Sequence, residues 1–191
     1  MRTSLKFRHG VFVVFCLSLL ASGCSSRLCV RKSSDSFHSG FCNRGYERAL
    51  RYRDGDLPAY RIVIELHPLS ERARAEFLEG FRRAYDSVNE RQKGIEYSTI
   101  LSQALESGFY DEAFKQGKLY VNGETTDARI QELISGSVGL SRGSGLGWKA
   151  GYIAGFAQEM AFRKSGFISD ENRFYSQGET KYNALRGPLG V

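Results

Sequence analysis

Histidine is scarce in this chain of 191 residues: there are three. His9 precedes the first apolar run, which leaves His38 and His67, at no spacing that suits zinc. The same shortage weakens nucleophilic catalysis. Ser137, Ser141 and Ser144 fall in a glycine-rich region, but no G-x-S-x-G elbow surrounds them and only those two histidines could act as base. The adjacent pairs Asp111/Glu112 and Asp170/Glu171 read as solvated charge rather than as the two separated carboxylates of glycan hydrolysis. Gly145-Leu146-Gly147-Trp148-Lys149-Ala150 matches a dinucleotide-binding string, yet helix rather than strand is expected before it. Beyond the N-terminus there is no second apolar run long and uncharged enough to span a membrane. A dense Lys/Arg block is also lacking, which argues against nucleic acid as a partner. These absences point away from an enzyme, a metal site and a cofactor.

The N-terminus is more informative. Arg2, Lys6 and Arg8 precede an uncharged apolar stretch from Val11 to Leu20, short for a span but suited to an export signal. Small residues then lead to Cys24. The run Leu20-Ala21-Ser22-Gly23-Cys24 resembles the bacterial lipobox, with Ala21 where leucine is commonest. The resemblance implies removal of residues 1–23, acylation of Cys24 and, with Ser25 next, delivery to the outer membrane of a Gram-negative bacterium. The competing reading is an ordinary cleaved signal with an incidental cysteine. Removal takes three basic residues and no acidic one, so the net charge falls from +6 to +3, with 24 basic and 21 acidic residues left.

Cys16 leaves with that segment and Cys24 carries lipid, so Cys29 and Cys42 remain. In an oxidising periplasm such a pair is expected to be bridged, the alternatives being two free thiols or half a metal site. Residues 24–40 hold six serines together with Arg27, Arg31 and Lys32, the composition of a solvated tether.

The expected folded body covers residues 41–165. Asn43 to Arg53 suggests a short helix. Tyr60, Ile62, Ile64 and Leu66 alternate with Arg61, Val63 and Glu65 between Pro58 and Pro68, which predicts a strand. Ser70 caps a long helix expected to run to about Lys93 and stop at Gly94, with Ala73, Phe77, Phe81, Ala84 and Val88 on its apolar face. Ile100 to Leu105, and Phe109 with Ala113 and Phe114, mark two further helices. Leu119-Tyr120-Val121 before Asn122-Gly123 suggests a second short strand. Thr126 caps a helix through Ile130, Leu133 and Ile134. The class is mainly α, with at most two short strands. Residues 166–191 are polar with scattered aromatics and read as a frayed tail, the alternative being a docking arm.

Gly139, Gly143, Gly147, Gly151 and Gly155 recur every fourth residue. On a helix they share one slowly winding face, along which another backbone can approach closely. Each glycine costs a helix about 1 kcal/mol relative to alanine, so such a helix needs compensating contacts. Three arrangements fit. Residues 136–147 could be loop, with helix starting near Trp148 and Tyr152, Phe156 and Met160 as its core stripe. The whole stretch could be a helix packed by its glycine face within the chain. The face could instead serve self-association or membrane insertion, with Arg142 and Lys149 opposing lipid exposure. The loop is the leading expectation. Gly80-Phe81-x-x-Ala84-Tyr85 and Gly151-Tyr152-x-x-Gly155-Phe156, with Gly45-Tyr46-x-x-Ala49 a weaker copy, hint at duplication but are short enough to arise by chance.

A small lipoprotein with a helical body and a glycine ladder resembles the entry- or surface-exclusion lipoproteins that plasmids encode. That resemblance implies a non-enzymatic envelope protein that obstructs incoming plasmid DNA, acting on the mating apparatus or another envelope partner. A structural or secretion-linked outer-membrane lipoprotein is the alternative.

Overall fold

The computed structural model describes residues 36–166 and 168–187. Among these there are eight α-helices and no strand. They are α1 (Ser36–Arg53), α2 (Ala59–Leu66), α3 (Glu71–Asp86), α4 (Arg91–Glu106), α5 (Phe109–Asn122), α6 (Asp127–Val138), α7 (Arg142–Ser165) and α8 (Tyr175–Arg186). A 3-10 segment, Ile168–Phe174, joins the last two. The fold is a mainly α body. The lipobox, Cys24 and Cys29 lie outside the described residues.

The arrangement is built twice. In the first unit α1 packs on α3, α3 on α4 and α2 on α4; in the second α5 packs on α7, α7 on α8 and α6 on α8. Glycine governs the main contact of each unit. A Cβ on Gly45 would overlap the carbonyl of Phe77, and one on Gly80 the carbonyl of Cys42. The second unit repeats this reciprocity: Gly117 lies on the carbonyl of Tyr152 and Gly155 on that of Phe114. Each glycine sits three residues after the carbonyl that receives its partner. The packing thus repeats, but with Gly117 and Gly155 as the counterparts of Gly45 and Gly80, so the short sequence matches, which align Gly80 with Gly151, are out of register with it.

Both crossings are parallel. Tyr110 meets Gly151, Phe114 meets Gly155, Lys118 pairs with Glu159 and Asn122 with Arg163, a constant separation of 41 residues. In the first unit Cys42 lies on Gly80 and, further along both helices, Tyr46 reaches Ser87 (3.3 Å). The short helices α2 and α6 thus return the chain to the end where its neighbour began.

The segment 60–66 is helix, not strand. Its buried residues are Tyr60, Ile62, Val63 and Leu66, and Val63, which alternation places on the opposite face, is fully buried. Eight residues can satisfy both periods, and a lone strand here would have no partner for its backbone. The other expected strand, Leu119-Tyr120-Val121, is the last turn of α5. Asn122-Gly123 ends that helix with Gly123 in the left-handed region (φ 74°), a role the dipeptide fills as readily as a hairpin turn. The first helix begins at Ser36, inside the serine-rich stretch. The long helix after Ser70 stops at Asp86, and the chain turns through Asn89 (φ 58°) into α4. Val88 is accordingly exposed, and Gly94 lies buried against the Tyr85 side chain instead of stopping a helix. Ser70 and Thr126 cap α3 and α6 as their positions suggested.

The C-terminal residues 174–185 contribute to the core. Phe174, Tyr175, Tyr182 and Leu185 are buried, and Gly178 rests on Ile153 and Phe156 of α7. Their spacing is helical once Gly178 is counted as the small member of the stripe, which the polar texture concealed.

Gly136 supplies the contrast that tests the packing account. It lies exposed in α6 with nothing near its missing side chain, so Gly136→Ala should stabilise the fold by about 0.5–1 kcal/mol. Gly155→Ala, also inside a helix, should destabilise it by more than about 1 kcal/mol because backbone atoms must separate. Urea unfolding of both variants measures the difference; stabilisation by both would contradict the crossing.

Candidate interaction surface

Residues 136–147 are not one loop. α6 continues to Val138, and after a three-residue break Ser141 caps α7, its Oγ accepting from the Ser144 backbone N–H (3.0 Å). Five glycines then lie in α7, at a propensity cost of about 5 kcal/mol. Close packing within the chain compensates. Gly143 lies on Ile100 and Gln103 and Gly147 on Ala104, all of α4; Gly151 and Gly155 lie on Tyr110 and Phe114 of α5. Gly139 does not join them, since only the Ser135 carbonyl of its own segment is nearby. The ladder is thus four residues long. It is covered by the same chain and has no face left for lipid or a second copy. No described helix is long and apolar enough to cross a membrane.

α7 is the hub, packing on α2 and α4 of the first unit as well as on its own. The equivalent helix α3 has Arg72 and Glu76 where α7 has Gly147 and Gly151, counted back from Gly80 and Gly155. Gly147 lets α7 approach α4 of the first unit, and Gly151 lets it approach α5 of its own.

Arg142 and Lys149 belong to this seam. Arg142, exposed at the start of α7, donates to Glu96 of α4 (3.1 Å). Lys149 donates to Glu179 of α8 (2.6 Å), and its ammonium lies 5.1 Å from the Tyr60 ring centre and 5.9 Å from that of Tyr182. Burial, followed by the nearby Glu179, pushes the Tyr60 hydroxyl up to about 12. Next to Arg142 a cavity of about 470 Å³ opens between the units, lined by Tyr52, Ile62, Phe81, Tyr97 and Leu146. The rings of Tyr52 and Tyr97 meet edge-on, 5.3 Å between centres. Such a cleft can take an apolar or aromatic side chain beside a charged pair.

The serines of the glycine region serve the backbone: Ser137 donates to the Ile134 carbonyl (2.9 Å), and Ser141 and Ser144 share a bond at the α7 cap (2.9 Å). Among the described residues no group of three or more His, Cys, Asp or Glu side chains could hold a metal ion. Cys42 is buried and disulfide-bonded, with its partner outside the described residues. Sequence reasoning missed the tyrosine cleft, because its lining comes from five helices of two units. No protein-family model, curated protein or solved structure matches the chain.

His67 ends α2 and joins the units from the other side. Its ring stacks on Tyr110 (3.8 Å between centres), and Nε2 lies 3.2 Å from an Asp111 carboxylate oxygen. Burial lowers its pKa below 6.5, an effect that Asp111 opposes and Arg74 reinforces. The neutral ring is therefore the form the fold favours. Its stabilisation is fully present above the unfolded value and is lost as pH falls through the folded one. Melting temperature should drop between pH 7.5 and 5.5, and His67→Gln should reduce that drop. An unchanged pH profile in the variant would contradict this role.

Proposed function

We propose that this chain is a lipid-anchored envelope protein that works by binding, and that its role is exclusion of incoming plasmid DNA. The observation that carries the reading is the lipobox-like run ending at Cys24, twelve residues ahead of a helical body that starts at Ser36. The packing sharpens it. With the ladder spent inside the fold, the features that remain for a partner are the tyrosine cleft beside Arg142 and the charged faces around it. A body held at the membrane by Cys24 would occlude or engage the mating apparatus at the point of contact, where anchoring raises its local concentration.

An exclusion protein acts in the recipient. Recipients that express the chain should take up its own plasmid type less often than empty-vector cells, while Cys24→Ser recipients should not. Transfer frequency into the three recipients decides the matter. Equal frequencies would overturn exclusion and favour a structural or secretion-linked envelope lipoprotein.

A further inference from the structure

α1 carries Arg44, Arg48 and Arg51 at positions i, i+4 and i+7, one stripe along the helix. Across from it stands Arg61 of α2. The four guanidinium groups line a single cleft of about 540 Å³ with Glu65 and, from the 3-10 segment, Glu171 and Asn172; Leu57, Ile64 and Leu69 form its apolar wall.

The acidic residues do not neutralise the cleft. Arg44 and Arg48 share one carboxylate, that of Glu65, with Arg48 Nε 2.8 Å from it. Glu171 accepts a hydrogen bond from the Tyr175 hydroxyl (2.8 Å). Arg61 lies over the Tyr175 ring, its guanidinium carbon 4.2 Å from the ring centre, and donates to Asn172 (3.3 Å). Arg51 is exposed. Four cations against two carboxylates leave an excess of two positive charges in one cleft.

The Tyr175 ring with Asn172, and the Glu65 carboxylate, hold three of these guanidinium groups in place in advance, so less side-chain entropy is left to lose on binding. Planar forks of N–H donors around a doubly positive concavity suit an anion with several equivalent oxygens. The stripe is also short. Asp54 and Asp56 follow soon after Arg51, and Glu47, one turn from both Arg44 and Arg51, flanks the stripe, so the positive field covers a spot rather than a track along a polymer.

We infer that the cleft between α1, α2 and the 3-10 segment binds an anionic phosphate group. The group can come from an acidic phospholipid headgroup or from a soluble phosphate. The headgroup source rests on the lipid-anchor reading: eleven residues lie between Cys24 and α1, a reach of up to about 40 Å that a Cys29–Cys42 bridge would cut to about 20 Å, so the cleft can touch the bilayer that holds the anchor. Because an acylated protein is already held, the cleft would then orient the body on the membrane more than it would tether it.

The test uses the full chain in neutral detergent and follows thermal unfolding. One arm adds inorganic pyrophosphate, a second adds phosphatidylglycerol to the micelles, and a third adds phosphatidylcholine, whose phosphate is offset by its own cation. A ligand of the folded state raises the melting temperature. The rise should appear with pyrophosphate or phosphatidylglycerol, shrink with salt and be absent with phosphatidylcholine. Arg51→Glu reverses an exposed charge and should weaken apparent affinity roughly tenfold, in line with one to two charges at an anionic surface. Arg91→Glu, on α4 and outside the cleft, should leave it unchanged. A rise with phosphatidylglycerol alone assigns the headgroup, and a rise with pyrophosphate assigns a soluble phosphate and survives failure of the lipid-anchor reading. No rise in either arm, or equal weakening by Arg51→Glu and Arg91→Glu, would overturn the site.

Discussion

Backbone meeting backbone at paired glycines is the constraint on which the rest of this structure depends. At Gly45 with Gly80, and again at Gly117 with Gly155, neither helix has a side chain to hold the other away, and each glycine lies on a carbonyl of its partner. Helices this close gain dispersion contacts along the seam and weak Cα–H contacts to those carbonyls. The large rings are then displaced to either side of the crossing. Phe77 and Phe81 flank it in the first unit, and Tyr152 and Phe156 in the second, and all four are buried. A parallel crossing needs a return segment, which is why each unit contains a short helix between its two long ones.

The same device joins the units. α7 presents Gly143 and Gly147 to α4 and Gly151 and Gly155 to α5, so one helix face turns slowly from one unit to the other along its length. A four-residue repeat drifts around a helix, and that drift lets one glycine stripe serve two neighbours in succession. Trp148, Tyr152 and Ile153, beside the stripe, are buried as well. The glycines are thus bound up in making a body, and tyrosine and arginine line the clefts that the crossings leave open.

Local chemistry in the sequence reported on the fold well where it was unambiguous. Ser70 and Thr126 announced helix starts because a side-chain oxygen before an apolar run has few other roles. The run 60–66 misled because Tyr60, Ile62, Ile64 and Leu66 alternate while Val63 completes a helical face. Asn122-Gly123 misled because a helix end and a hairpin turn demand the same left-handed residue. Gly94 read as a breaker and Gly178 as part of a polar tail, although each is a packing position, and only the neighbouring helix reveals that. The ladder itself was visible, but whether Gly147 faces loop, lipid or Ala104 depends on a residue far away in sequence. The arginine stripe of α1 could have been found from its spacing alone; Arg61 and Tyr175, which complete the cleft, could not.

Hydrogen exchange of backbone amides tests the central claim most directly, because it ranks segments by how much structure must open to expose them. If the paired crossings hold the fold together, the amides of α7 around Gly151–Ala157 and those of α5 around Ala113–Gly117 should exchange slowest, at the rate of global unfolding. The amides of α6, largely exposed and away from the crossings, should exchange well before them. Exchange from the α5–α7 crossing as fast as from α6 would show that the glycine contacts do not carry the fold.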